Sequence, residues 1–340
     1  MVGIKDIAKK AEVSIATVSK ALTGKEDVSK ATRRKIVRIA RRLNYCPNSI
    51  ARSLVTRKTN TLGLIMPYIT NPASTERLHG IQYAALGREF MFISCLSEND
   101  GKDTEQKYFQ MLCDRQVDGI IIMPIEKSTE DFLSHPSFNI PVVIMSEYIN
   151  KLPYDFVGND DEEGGRIACE HLVKGGHKYI GYLGNSPSVY SDIGIIKGYR
   201  NILEKHHIKE NSKLITFGNT NRDALRKNIS NLLSLSPRPT AIMTWSDMIA
   251  FWALEELEKL NVNVPGDMAL IGYDNIELSA MFRIPLTTVG QSNYQIGASA
   301  ADCLIDRIQN KLTDHPRKII FQPSLVIRES CGLKNTLKKK

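Results

Sequence analysis

The stretch Val13-Ser14-Ile15-Ala16-Thr17-Val18-Ser19-Lys20-Ala21-Leu22 decides how this chain is read. Ser14 is a natural helix cap, and Val18, Ala21 and Leu22 recur at the spacing of one helix face. The opposite face then carries Ile15, Ala16, Ser19, Lys20 and Thr23. Upstream, Ile4, Ile7, Ala8 and Ala11 mark an earlier helix that stops at Glu12-Val13-Ser14. Downstream, Ser29 caps a third helix with Ile36, Ile39, Ala40 and Leu43 inward and Arg33, Arg34, Lys35, Arg38, Arg41 and Arg42 on the remainder. Two short helices joined by a tight turn form a helix-turn-helix, whose second helix offers its first residues to base edges in the major groove. There Ile15 and Ala16 would meet thymine methyl groups, and Ser19 and Lys20 a base or a phosphate. A three-helix adaptor with a solvated basic face satisfies the same pattern.

The charge is concentrated in the same place. Of the net +8 of this 340-residue chain, residues 1–60 hold 15 basic against 4 acidic side chains, and the remainder 30 against 33. A basic head on a nearly neutral body suits polyanion binding, because each phosphate neutralised releases counterions. The six cysteines show no CxxC spacing, and the start Met1-Val2-Gly3-Ile4-Lys5-Asp6 has no apolar signal core. No apolar run is long enough to span a bilayer, so a cytoplasmic protein with reduced thiols and no membrane partner is expected. The seven histidines lack HExxH or other ligand spacing, and GxSxG, Walker and GxGxxG motifs are missing. The expectation is no metal, no cofactor and no enzyme.

Three segments carry a resemblance: Ile4-Lys5-Asp6-Ile7-Ala8, the opening stretch, and Tyr45-Cys46-Pro47-Asn48-Ser49-Ile50-Ala51-Arg52-Ser53-Leu54. In order and spacing they resemble the head of LacI/GalR-family transcriptional regulators. The resemblance implies a DNA-binding set of Ile4, Lys5, Ser14, Ile15, Ala16, Thr17, Ser19, Lys20 and Thr23, with a hinge helix at Asn48, Ser49, Ile50, Arg52, Leu54 and Val55. Lys20 is often arginine in the family, and Thr32 stands where a glutamate usually completes a capping box. A nine-residue hinge is too short to be helical alone in water, since nucleation costs more than so few hydrogen bonds return. It would fold against a second hinge and the minor groove, with Leu54 wedged between base steps. A plain linker whose Leu54 packs on the body is the alternative.

From Thr61 onward, short apolar runs alternate with amphipathic helices. The runs are 62–66, 91–95, 119–123, 142–145, 179–183, 213–217, 241–244 and 269–272, the signature of parallel α/β sheets. Ligands in such folds bind beyond the carboxyl ends of the strands, here the loops 68–75, 146–148, 190–195, 245–247 and 274–275. Leu62-Gly63-Leu64-Ile65-Met66-Pro67, Val117-Asp118-Gly119-Ile120-Ile121 and Leu270-Ile271-Gly272-Tyr273-Asp274-Asn275 extend the resemblance over nearly the whole chain. The implied fold is an all-α helix-turn-helix head plus an α/β periplasmic-binding-protein-like core of two parallel-sheet lobes. The divisions are residues 1–46 (head), 47–60 (hinge helix and linker) and 61–340 (core). Lobe one takes about 61–157 and 290–321, lobe two about 158–289 and 322–333.

The implied effector positions are Ala73, Ser74, Glu147, Asn159, Ser191, Ile195, Thr220, Trp245, Ser246, Asp274 and Gln291. Asp274 and Gln291 fall on family pocket positions, although Asp274 with Asn275 also suits a plain turn. Ala73 and Ser74 stand where aromatics usually stack on a ring, Thr220 near a third such aromatic, and Asn159 where an aspartate is common. Ile195 replaces the effector-binding arginine, which leaves the cleft without a guanidinium fork. Tyr68, Glu147 and Trp245 offer a different lining, though Trp245 equally suits core packing. The expected protein is a homodimer on double-stranded operator DNA, a repressor controlled by a small molecule related to carbohydrates. Control by a protein partner with a vestigial cleft, or a solute-binding protein without regulatory role, are the alternatives. Leu54→Ala is expected to lose specific operator binding in gel-shift titrations yet keep weak, salt-sensitive binding, because the Lys and Arg contacts remain. Equal losses of both would count against the wedge.

Overall fold

The computed structural model describes residues 3–22, 27–45, 58–67, 69–97, 102–124, 129–134, 140–145, 152–311 and 315–332. Thr23, Asn48, Ser49, Ile50, Arg52, Leu54, Val55, Tyr68 and Glu147 lie outside them. The chain divides into Met1–Thr59 and Asn60–Lys340.

In the first body, α1 (Ile4–Ala11), α2 (Ile15–Leu22) and α3 (Lys30–Arg42) enclose a core of Ile7, Ala8, Ala11, Val18, Ala21, Val28, Ile36 and Ala40. Glu12, left-handed at φ 55°, ends α1. The Thr17 N–H donates to Ser14 Oγ at 3.1 Å and the Thr32 N–H to Ser29 Oγ at 3.2 Å, so each serine satisfies a donor that its helix leaves unpaired. Thr32 adds a hydroxyl contact to Ser29 at 2.8 Å, a substitute for the missing glutamate.

The second body holds two sheets. In chain order its elements are β1 (Thr61–Met66), α4 (Pro72–Gly87), β2 (Met91–Leu96), α5 (Lys102–Asp114), β3 (Gly119–Ile122), α6 (Thr129–Leu133), β4 (Val142–Met145), β5 (Asp155–Asn159) and α7 (Asp161–Lys174). There follow β6 (Ile180–Leu183), α8 (Tyr190–Lys205), β7 (Ile215–Thr216), α9 (Arg222–Leu233), β8 (Ala241–Thr244), α10 (Asp247–Lys259), β9 (Ala269–Asp274), α11 (Leu278–Met281), β10 (Thr287–Gly290), α12 (Asn293–Ile308), β11 (Lys318–Phe321) and β12 (Ser324–Val326). Sheet one, in the order β11-β5-β4-β3-β1-β2, is parallel throughout. Sheet two, β12-β10-β9-β8-β6-β7, is parallel except for its edge strand β12. The chain crosses between lobes after β5, after β10 and after β11.

Several sequence expectations are corrected. Residues 190–195, expected as a loop, are the start of α8. The run 213–217 is a 3-10 turn, Ser212–Leu214, followed by a two-residue strand. The strands β5, β10 and β11 were not expected; two are only four residues long, and β5 contains Asp155, Gly158 and Asn159, which break an apolar pattern.

Glycine sets the closest helix packing. A Cβ on Gly297 of α12 would lie 1.9 Å from the Arg77 carbonyl oxygen of α4, and one on Gly80 would lie 2.1 Å from the Tyr294 carbonyl oxygen. The same holds in lobe two, where Gly165 and Gly198 would meet the backbone of Ile195 and Glu162. Gly297→Ala is expected to cost about 1–3 kcal/mol, read as a lower urea midpoint, because it forces two backbones apart. Gly87→Ala, which meets nothing within 4 Å, serves as the control and should lose nothing.

Candidate functional site

On α2, Ser14, Ile15, Ala16, Ser19 and Lys20 are exposed and Thr17 is half-buried, while Val18 and Ala21 point inward. Ile15 leaves 45% of its surface open to solvent on the face opposite the head's core. Lys5 is exposed, and Ile4 is half-buried against the head's core. Lys20 pairs with Asp27. Arg34, Lys35, Arg38, Arg41 and Arg42 are exposed along α3.

In the second body a cleft between the lobes, with a free volume of about 80 Å³, is lined from both sides. Lobe one contributes Asn71, Ala73, Ser74, Arg77 and Met123; lobe two contributes Asp161, Tyr190, Ser191, Trp245, Ser246 and Asp274. Asn71 caps α4 and Ser246 caps α10, so helix N-termini face the cleft. Asp274 ends β9 at φ 121° and Asn275 follows at φ 56°. Such values are strained for side-chain-bearing residues and persist only where surroundings enforce them. Here the enforcing contacts are amides. Asn71 Nδ2 donates to Asp274 Oδ2 at 3.1 Å and Gln291 Nε2 to Asp274 Oδ1 at 2.9 Å. Gln291 Oε1 accepts in turn from Asn159 Nδ2 and, at 2.8 Å, from Arg77 Nη2. Asn159 and Gln291 sit on two of the three crossovers, so the network ties lobe to lobe through the hinge itself. The turn reading of Asp274 and the cleft reading therefore coexist.

Buried carboxyls surround this network. Burial pushes Asp274 well above the ordinary carboxyl range, with the charge of Asp247 adding to it, against the pull of the Asn71 amide. Burial lifts Asp161 to about 6 despite the hydrogen bond from Tyr273, and Asp247 to about 6 despite those from Ser279 and Thr288. Behind the cleft wall, burial lifts Asp192 to about 7, although it accepts from the Tyr182 hydroxyl and the backbone N–H groups of Ser186 and Asn185.

Comparison with known proteins decides the family. Residues 3–48 match bacterial regulatory proteins, lacI family, and residues 169–331 match the periplasmic binding protein-like domain. The HTH-type transcriptional repressor PurR of Aliivibrio salmonicida (strain LFI1238) is 32% identical, covering 97% of this chain and 99% of its own. The chain belongs to the lacI family. It is a DNA-binding transcriptional repressor with an effector-binding core. Among solved structures, the transcriptional regulator CelR-cellobiose complex is 25% identical with a TM-score of 0.72, covering 97% of this chain and 100% of that one. The lac repressor dimer bound to operator and the anti-inducer ONPF shares the fold, with a TM-score of 0.87 at 23% identity, covering 97% and 99%.

For a lacI-family core, the lining differs from what the sequence suggested. Ala73, Ser74, Asn159, Ser191, Trp245, Ser246, Asp274 and Gln291 come together. Ile195 does not: α8 begins at Tyr190, which places Ile195 in the second turn, fully buried, with its backbone against Gly165 of α7. Thr220 is also displaced; it is exposed and donates to Asn185 Oδ1 at 3.3 Å, and Asn185 is the residue that lines the cleft. Trp245 is half-buried, packs on both cores of lobe two and donates its indole N–H to Ser191 Oγ at 2.8 Å. The expectation of a cleft without an arginine is overturned by Arg77. It stands one helical turn beyond Ala73, on the same face of α4, a spacing visible in the sequence. Asn71 and Tyr190 fall within the loops 68–75 and 190–195 expected at the cleft without being singled out there, and Asp161 was not expected.

Asp192 retains its proton up to about pH 7 in the folded chain but releases it near 3.8 when unfolded. Its contribution is therefore present below about pH 4 and lost as pH rises through 7. His171 and His177, lowered by burial, act with opposite sign as pH falls below 6.5, so a difference measurement isolates the carboxyl. Melting temperatures between pH 5 and 8 should fall less with rising pH in Asp192→Asn than in wild type. Parallel curves would refute the assignment.

Proposed function

We propose that the chain acts in the cytoplasm, without enzymatic activity, as a homodimer on a near-palindromic operator, and that a sugar or sugar derivative in the interlobe cleft sets its DNA affinity. The observation that carries this is the amide chain Asn71–Asp274–Gln291–Asn159, which joins both lobes and two crossovers. A ligand whose hydroxyls replace the Asn71 or Gln291 contacts to Asp274 changes the energy of lobe closure, and differential affinity of that kind is what allostery requires. In the DNA-binding half, Ile15, Ala16 and Lys20 read the major groove while Ser14, Thr17 and Ser19 hold phosphates or the first bases. A carbohydrate class is supported by the carboxyl and amide lining and by the cellobiose named for CelR. Asn159 Oδ1, buried beside this network, is a further acceptor at the cleft.

The test is fluorescence anisotropy with the full chain. Near-palindromic duplexes from upstream of its own and neighbouring genes are compared with random duplex, with and without a panel of neutral, acidic and phosphorylated sugars. The expected result is at least about 1,000-fold preference for one site. One panel member should change that affinity about 5- to 150-fold, and Asp274→Ala should abolish the response. No preference for any site sinks the DNA reading; a response that survives Asp274→Ala sinks the cleft reading.

A further inference from the structure

Arg77 is the only cationic side chain lining the cleft among the described residues, and no described carboxylate pairs with it. Its Nε donates to Asn293 Oδ1 at 2.8 Å, its Nη2 to Gln291 Oε1 at 2.8 Å, and its Nη1 to the Met123 thioether at 3.7 Å. A guanidinium has five N–H donors, so two remain and a third has only a weak sulfur acceptor. Neutral amides orient the fork but do not balance its charge. The carboxyls across the cleft, Asp161 and Asp274, feel its charge but form no ion pair with it. Beside the fork, Asn293 Nδ2 is a second donor without a partner, on a residue only 2% exposed. Ala73 and Ser74, one turn earlier on α4, are small, which leaves open the space in front of the guanidinium that larger side chains would fill.

The two walls thus differ in kind. Lobe one offers a cation and donors; lobe two offers the carboxyl oxygens of Asp274 and Asp161, and Asn159 adds an unpaired acceptor at the hinge. We propose that the effector is a hydroxylated anion, a sugar acid or a sugar phosphate, whose anionic group is held by Arg77 while its hydroxyls donate to Asp274 and Asn159. This rests on the cleft being the effector site. It makes Arg77 the residue that selects charged over neutral sugars, since a fork with no carboxylate in contact discriminates by charge and planar geometry together.

Isothermal titration of the full chain with matched pairs tests it: D-glucose against D-glucuronate and against D-glucose 6-phosphate, and D-ribose against D-ribose 5-phosphate, with inorganic phosphate as a further ligand. The charged member of at least one pair should bind at least about 10-fold more tightly than its neutral partner, and the carboxylate and phosphate arms identify which anion is meant. Arg77→Met should weaken that binding about 10- to 100-fold, and Arg77→Lys should restore part of it, which a packing role would not do. Equal or tighter binding of the neutral members overturns the proposal and leaves the cleft reading standing. Inorganic phosphate binding as tightly as the sugar phosphates overturns the hydroxyl half. Anion binding unchanged in a cooperatively melting Arg77→Met overturns the role of Arg77. No binding by any member removes the cleft reading itself, and this proposal with it.

Discussion

The carboxyl of Asp274 is held by an amide from lobe one and an amide from a crossover between the lobes, and much of the core makes sense around that constraint. Asn71 belongs to the helix cap of lobe one, whereas Gln291 follows β10, which pairs with β9 at Asp274, so the Asn71 bond is the one that spans the lobes directly. The strained backbone at Asp274 and Asn275 is the local cost, offset by these bonds and by Arg328, which donates to Asn275 Oδ1 at 2.7 Å. Burial then keeps a carboxyl in an apolar, water-poor site where each hydrogen bond counts for more.

Precision at that point depends on helices that cannot drift. The α4–α12 pair approaches through glycines, and the carbonyl that fills the Gly297 gap is that of Arg77. The side chain in the cleft and the tightest backbone contact in lobe one therefore belong to the same residue. In lobe two the α7–α8 pair repeats the arrangement, and there Ile195 supplies the backbone contact while its side chain faces the core.

How much of this was readable in the sequence depended on range. The three helices of the head were legible, because capping serines, a 3.6-residue apolar period and the break at Glu12-Val13-Ser14 are local signals. The alternation of strands and helices was legible for the same reason. The β5, β10 and β11 strands were not, since each depends on pairing with segments far away in the chain and carries a polar residue that propensity counts against it. The cleft was half legible. Asp274 and Gln291 announced themselves through motif, whereas Ile195 misled because the early start of α8 turns it into the core, and Thr220 because it bonds to the cleft residue Asn185 from outside the cleft. Arg77 lay hidden in a helix read only for its boundaries.

The pairing of Lys20 with Asp27 has a consequence for how the head searches DNA. A lysine already neutralised by its own domain contributes little to loose, long-range attraction, and it joins a duplex only by trading Asp27 for a better-placed acceptor. In the proposed reading Lys20 must exchange Asp27 for a group on the DNA, and an exposed pair of this kind opposes that exchange by no more than about 1 kcal/mol, so the pair sets the geometry from which Lys20 departs and is no lock on it.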